Sequence, residues 1–161
     1  MIGEWLAGLE ATTLARALRN SVWVYPLVNA GHLLGVALLV GSIIPLDLRL
    51  LCAWPSVPLA PLWRVLTRTA SVGLALAIVC GSLLFITRAT EYAASSLFVA
   101  KMVVVAMATI NALSLLLMSP GGVSRALDGF EPPPRRLRLA ALTSLAAWFV
   151  ALTLGRLVGY F

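Results

Sequence analysis

Charge is scarce in this chain. Of its 161 residues only 11% are Asp, Glu, Lys or Arg, whereas 61% are hydrophobic; soluble domains hold roughly 25% charged and about 45–50% apolar residues. A water-soluble fold of this length could not hide so much apolar surface, so lipid must cover part of it. Histidine occurs once, at His32, and cysteine twice, at Cys52 and Cys80. A single histidine excludes a bis-histidine haem within one copy of the chain. The two cysteines, one in a loop and one inside an apolar run, do not make a disulfide framework. There is no CxxC, no HExxH and no glycine-rich phosphate loop, and no Ser–His–Asp set can be assembled. The N-terminus lacks the basic start and early apolar core of a secretory signal peptide, since Glu4 and Glu10 precede the first basic residue, Arg16.

The charge that is present has a pattern. The net value is +6, but the basic residues collect at the ends of apolar runs, where anionic headgroups account for them. No Lys/Arg–aromatic patch of the kind nucleic acid needs is present, so the expected partner is the bilayer and not nucleic acid. No charge falls between Arg19 and Asp47 or between Arg68 and Arg88, and Lys101 to Arg125 and Arg138 to Arg156 enclose two more apolar stretches. A spanning helix needs about 20 apolar residues. The runs are continuous and rich in Leu and Ala, without the alternation of barrel strands. The sequence therefore predicts an all-α, antiparallel four-helix membrane bundle. It forms one domain over 1–161, with spans at 22–46, 68–88, 98–118 and 138–158. Residues 1–20, with Trp5, Leu6 and Leu9 near one face, are expected to form an interfacial segment lying on the membrane. Pro55, Pro58 and Pro61 predict a turn and then a helix start, and Pro120-Gly121-Gly122 with Pro132-Pro133-Pro134 an extended linker. Asp47, Arg49, Arg64 and Arg68 are expected to pair with one another or to bind lipid phosphate. The first and third loops hold Arg49, Arg64, Arg68, Arg125, Arg135, Arg136 and Arg138, against Arg16, Arg19, Arg88, Lys101 and Arg156 on the other side. That bias puts those loops in the cytoplasm and both termini outside.

Within the first span Tyr25, Asn29, His32 and Gly35 share a face, and Gly31 and Gly35 form a small-xxx-small pair that permits close helix approach. An imidazole inside an apolar span must find a partner. His32 reads as a ligand for haem or a metal, or as a proton-relay group, with Asn29 and Tyr25 orienting it. It reads also as a histidine hydrogen-bonded to a neighbouring helix. No acidic residue falls within the spans as drawn, so a neutral ring with one donor and one acceptor is expected. Cys80 and Met107 fall at a depth similar to His32, and imidazole, thiolate and thioether together suit copper or haem iron; a Cys and a Met in apolar helices are also ordinary packing residues. Arg88, Glu91, Tyr92 and Lys101 gather at the outer ends of the second and third spans. This outer-mouth cluster reads as a binding site for an acid, a headgroup or a partner's loop, or as an interfacial salt-bridge network. Asn111 and Ser114 are expected to make interhelical hydrogen bonds.

The stretch Tyr25-Pro26-Leu27-Val28-Asn29-Ala30-Gly31-His32-Leu33-Leu34-Gly35, continuing to Gly41 and to Leu46-Asp47-Leu48-Arg49-Leu50-Leu51, resembles a family of small bacterial inner-membrane proteins of unassigned activity. So does Phe85-Ile86-Thr87-Arg88-Ala89-Thr90-Glu91-Tyr92, with Phe98 and Lys101 after it. The resemblance implies a similar length, four helices and a bacterial inner-membrane location. A more distant similarity, resting on His32 and the four-helix layout, is to copper-resistance membrane proteins and b-type cytochromes; it implies copper or haem b as the cofactor. The functional expectation is a membrane-embedded binding or electron-transfer module centred on His32. The alternative is a non-enzymatic membrane subunit, or a small channel or transporter component, in a homo-oligomer or larger complex, whose polar residues only hold helices together.

Overall fold

The computed structural model of the protein describes residues 2–118 and 133–160. Among them the chain is all helix, without strands: α1 (Ile2–Glu10), α2 (Thr13–Asn20), α3 (Val24–Leu50), α4 (Leu59–Phe85), α5 (Ala89–Ala94), α6 (Ser96–Met118) and α7 (Arg135–Leu157). Helices α3, α4, α6 and α7 are each long and apolar enough to cross a membrane, with mean hydropathies of 1.7 to 2.0. The chain is a multi-pass membrane protein. Large apolar side chains such as Leu33, Val79, Val103 and Phe149 lie exposed on these helices, the surface that lipid covers.

Two of the predicted spans, 22–46 and 68–88, are offset from the helices they match, α3 beginning at Val24 and α4 ending at Phe85. Helix α3 runs on to Leu50 and so includes Asp47 and Arg49, and α4 starts at Leu59, not 68, and so includes Arg64 and Arg68. At 27 residues each, these helices are about 40 Å long, the thickness of a bilayer with its headgroup layers. Charges mark the edge of the hydrocarbon rather than the end of the helix. Pro61 falls in the first turn of α4, where a missing N–H costs nothing because that N–H has no intrahelical partner. Helices α6 and α7 begin at Ser96 and Arg135, close to the predicted 98 and 138. The predicted linker at Pro120-Gly121-Gly122 lies outside the described residues, as does Pro132.

Helix α3 ends in a Schellman turn. The Ala53 N–H donates to Leu48 O at 2.9 Å and the Cys52 N–H to Arg49 O at 3.1 Å, with Cys52 in the left-handed region at φ 69°. Arg49 then ties down the loop, donating to the carbonyls of Val57 at 2.8 Å and Pro55 at 3.2 Å. Its guanidinium therefore serves the loop and does not pair with Asp47.

Lipid is as apolar as Leu, so helices in a membrane associate through close packing and polar contacts. The α3–α4 contact uses the first of these fully. A Cβ on Gly35 would stand 2.5 Å from the Ala77 nitrogen and 2.8 Å from Gly73 O; one on Gly73 would stand 2.5 Å from the Leu39 nitrogen. The two backbones touch, antiparallel, at glycine. Helix α7 packs on both α3 and α6. Asn111 on α6 donates its amide to the Ala140 carbonyl of α7 at 3.0 Å, the interhelical bond expected of it, while Ser114 bonds back to Asn111 O in its own helix at 2.8 Å. All four long helices meet around Leu39, Val40, Ile43, Ala108, Trp148 and Ala151, with Ala70 and Leu74 of α4 against them.

Residues 2–20 form two short helices, α1 and α2. Thr12 caps α2 by accepting from the Ala15 N–H at 3.2 Å, and Leu6, Ala15 and Leu18 are buried, as is Ala89 of α5. The Glu10 carboxylate accepts from both the N–H and the hydroxyl of Thr90, at 2.7 and 2.6 Å. Arg19 donates to Thr87 O at 3.3 Å and Glu10 O at 3.1 Å. The α1–α2 pair is thereby clamped to the corner between α4 and α5. The bundle thus has a hairpin end, with α1, α2 and α5, and a loop end, with residues 51–58.

Candidate functional site

The row Gly73, Ala77, Gly81 on α4 repeats a small residue every fourth position, which puts the three on one stripe of the helix. His32 of α3 lies on that stripe. A Cβ on Gly81 would be 3.1 Å from the ring Cε1 and 3.2 Å from Nδ1, so glycine is what lets the ring lie against α4. The ring Nδ1 is 2.9 Å from the Ala77 carbonyl. A carbonyl only accepts, so Nδ1 carries the proton and Nε2 keeps its lone pair. Holding one ring nitrogen on a backbone carbonyl is how proteins orient a histidine whose other nitrogen binds something.

Lys101 sits near the start of α6, and its side chain turns into the bundle. Its Cε and Nζ would be 3.6 and 3.8 Å from a Cβ on Gly155 of α7, and Nζ lies 5.8 Å from the centre of the Phe98 ring, within cation–π range. Among the described residues no carboxylate pairs with Lys101; Glu91 is taken by Arg88 at 3.3 Å, both side chains exposed.

Aromatic rings close the hairpin end of the site. Phe85 at the end of α4, Tyr92 of α5 and Phe98 of α6 have centroids 5.1 to 6.3 Å apart and planes within 30° of one another. Burial, then the neighbouring Tyr25, pushes the Tyr92 phenol above its ordinary value, with Arg88 opposing.

The structure brings part of the expected site together. His32 packs on α4 at Gly81, and Tyr92 and Lys101 both approach Phe98 at the hairpin end. Arg88 and Glu91 pair on the surface nearby, but Lys101 turns away from them, so the expected outer-mouth cluster is a surface pair and a separate inward ammonium. Asn29 faces outward, although it is only three positions from His32, because α3 buries the side that meets α4. Cys80 does reach this region, its Sγ 3.0 Å from a Cβ on Gly31. Met107 is 62% exposed on the far side of α6, so no His–Cys–Met set forms. Among the described residues no group of three or more His, Cys, Asp or Glu is placed to hold a metal ion.

Sequence reasoning missed a buried acid. Asp47 is 4% exposed, with Ser144 of α7 as its hydrogen-bonding partner; its Oδ2 and the Trp148 Nε1 are buried without one. Arg64 and Arg68 are exposed on α4, and no salt bridge joins either to Asp47. The expected pairing of these charges is therefore not made. The Gly73–Ala77–Gly81 row, also missed, was readable in the sequence as a small-residue repeat.

Comparison with protein-family models, with curated proteins and with solved structures finds no match.

Proposed function

We propose that this protein is a membrane-embedded binding module of the electron-transfer class, its ligand held at Nε2 of His32. We place it in a bacterial inner membrane with the hairpin end outside the cytoplasm. One observation carries the reading: Nδ1–H is committed to the Ala77 carbonyl at 2.9 Å, which leaves a fixed, unprotonated nitrogen within a four-helix bundle. An intramembrane ionisable residue is a functional-site candidate by default. Of the two metal cofactors considered, haem b suits one imidazole, with a second copy of the chain available to supply another. Copper suits the site less, because Met107 faces away.

The absorption spectrum of the protein purified in mild detergent tests this reading. The expected result is a bound redox-active chromophore that is lost in His32→Asn. Asparagine can keep an N–H near the Nδ1 position and so retain the Ala77 bond while removing the ligand nitrogen. A colourless, metal-free preparation from which no organic redox compound can be extracted overturns the proposal. It would favour the second reading, a non-enzymatic subunit or a channel or transporter component. That reading has its own observation: the His32–Ala77 bond sits about one turn from the Gly35–Gly73 contact and would by itself help to hold α3 on α4.

A further inference from the structure

We infer that Asp47 is a second functional site, a carboxyl that binds a proton in the seam between α3 and α7 and exchanges it with the loop end of the bundle. The inference does not depend on His32, which lies 15 residues earlier on α3, about 22 Å away along the helix. Two apolar clusters bracket the acid. Leu46 and Leu50 of α3 pack with Leu137 and Ala141 of α7, and one turn further in Ile43 packs with Trp148. Asp47 falls between Ile43 and Leu50, and Ser144 falls between Ala141 and Trp148, so acid and hydroxyl stand at one level of the seam. Both are buried, at 4% and 6% exposed. The Ser144 hydroxyl serves one side of the carboxyl, and Oδ2 is buried without a partner.

A carboxylate sealed among apolar side chains is costly unless something neutralises it. No side chain here does so. Ser144 offers a hydroxyl and Trp148 an indole N–H, itself buried without a partner, and neither carries charge. Arg49 of α3 is held by the loop carbonyls of Val57 and Pro55. Arg64 and Arg68 of α4 and Arg135, Arg136 and Arg138 of α7 are exposed, and among the described residues none forms a salt bridge with Asp47. The basic residue of α6, Lys101, is at the opposite end. A metal ion would need further ligands, and no group of three or more His, Cys, Asp or Glu gathers among the described residues. A proton remains. It makes the carboxyl neutral and leaves one oxygen to accept from Ser144. The same placement gives the proton a route. Asp47 is one turn from the end of α3 at Leu50. Pro45, two positions before it, has no N–H to give the Gly41 carbonyl, so the last turns of α3 are tied less tightly to the rest. When they part from α7, water at the loop end reaches the acid. Ionisable groups inside membrane bundles serve as proton relays in this way.

The chain has two aspartates, Asp47 and Asp128, so isotopic labelling of the aspartate side-chain carboxyl gives at most two labelled infrared bands. The measurement is a pH titration of the labelled protein in lipid nanodiscs, repeated in Asp128→Asn, where Asp47 is the sole labelled carboxyl. At about pH 6 an ordinary aspartate is ionised, whereas the Asp47 label should absorb as a carboxylic acid. It should shift to the carboxylate position in alkali and return on reacidification, and the acid band should be lost in Asp47→Asn. If neither variant folds, the titration of the unmutated protein decides. A label that absorbs wholly as carboxylate at about pH 6 overturns the inference. So does an acid band that survives Asp47→Asn, which belongs to Asp128. An acid band that never yields to alkali marks a sealed, inert carboxyl and removes the exchange. A carboxylate band that moves with sodium concentration at fixed pH makes the site one for a metal ion and not for a proton.

Discussion

At the scale of single residues, the glycines on facing helices are the clearest case of a sequence signal with a physical cause. Gly31 and Gly35 were legible as a pair that would let another helix approach, and Gly35 is where α3 and α4 touch. The gap for a side chain there is negative: a Cβ on Gly35 meets backbone at 2.5 Å and a Cβ on Gly73 meets backbone at 2.5 Å. Backbone cannot swing aside, so Gly35→Ala or Gly73→Ala must part the helices, at a cost of about 1–3 kcal/mol. Gly41 has open space around its missing Cβ, so Gly41→Ala is the control. Thermal unfolding in detergent should show a lower midpoint for the first two variants and an unchanged or higher one for the third. Equal midpoints for all three would mean that the close crossing is not what holds α3 to α4. The same contrast explains what could not be read. The sequence marks His32 as polar within an apolar run, but not which turn of α4 it faces; that depends on the rotation of both helices, which the Gly35–Gly73 contact fixes. Met107 matched His32 in depth and still points outward, because depth is a property of one helix and facing is a property of two.

The N-terminal pair α1–α2 shows the same limit at the scale of elements. Two turns of apolar residues near Trp5 suggested a segment lying on the membrane, and nothing local to residues 1–20 announces that Glu10 caps the first turn of a helix 80 positions away. Such long-range polar contacts have no periodicity to betray them. The clamp nevertheless has a pH signature. The two hydrogen bonds from Thr90, the hydroxyl's first and the backbone's second, hold the Glu10 carboxyl below its usual value of 4.5, with Arg19 adding to the effect. A carboxyl with a folded value below its unfolded one contributes its docking in full above the unfolded value and loses it as pH falls through the folded value. The hairpin should therefore be docked at neutral pH and loosen in acid. Spin labels placed at the exposed Ala7 and Ala93, in a cysteine-free background, should give a narrow distance distribution at pH 7 that broadens below pH 4.5. In Glu10→Gln the distribution should no longer depend on pH over that range, since the amide oxygen still accepts from Thr90 without titrating. A wild-type distribution that stays narrow through acid pH would show that burial of Leu6, Ala15 and Leu18, rather than the carboxylate, docks the pair.

At the scale of the whole molecule, four spans were legible because hydrocarbon imposes its thickness on composition, whereas orientation rests on a finer asymmetry. Arg49, Arg64, Arg68, Arg135, Arg136 and Arg138 lie at or near the loop end of α3, α4 and α7, with Arg125 between α6 and α7 in sequence. The hairpin end has Arg16, Arg19, Arg88, Lys101 and Arg156, and the structure weakens this set further. Arg19 is engaged by Glu10 and Thr87, Arg88 by Glu91, and Lys101 is turned into the bundle. Arg156 stacks on Tyr160 with its charge 4.5 Å from the ring centre. The loop-end arginines have fewer such ties; Arg64, Arg68, Arg135, Arg136 and Arg138 are all exposed. Basic residues near span ends resist translocation and acidic ones matter little, so the loop end should stay in the cytoplasm and the hairpin end should cross. A fluorescent protein fused after Phe161 should be dark, and a periplasmic phosphatase fused there should be active. The same reporters inserted within residues 121–130 should give the reverse pattern. A bright C-terminal fusion would invert the molecule. The packing of His32 on α4 would be untouched, but the hairpin end of the bundle would then face the cytoplasm.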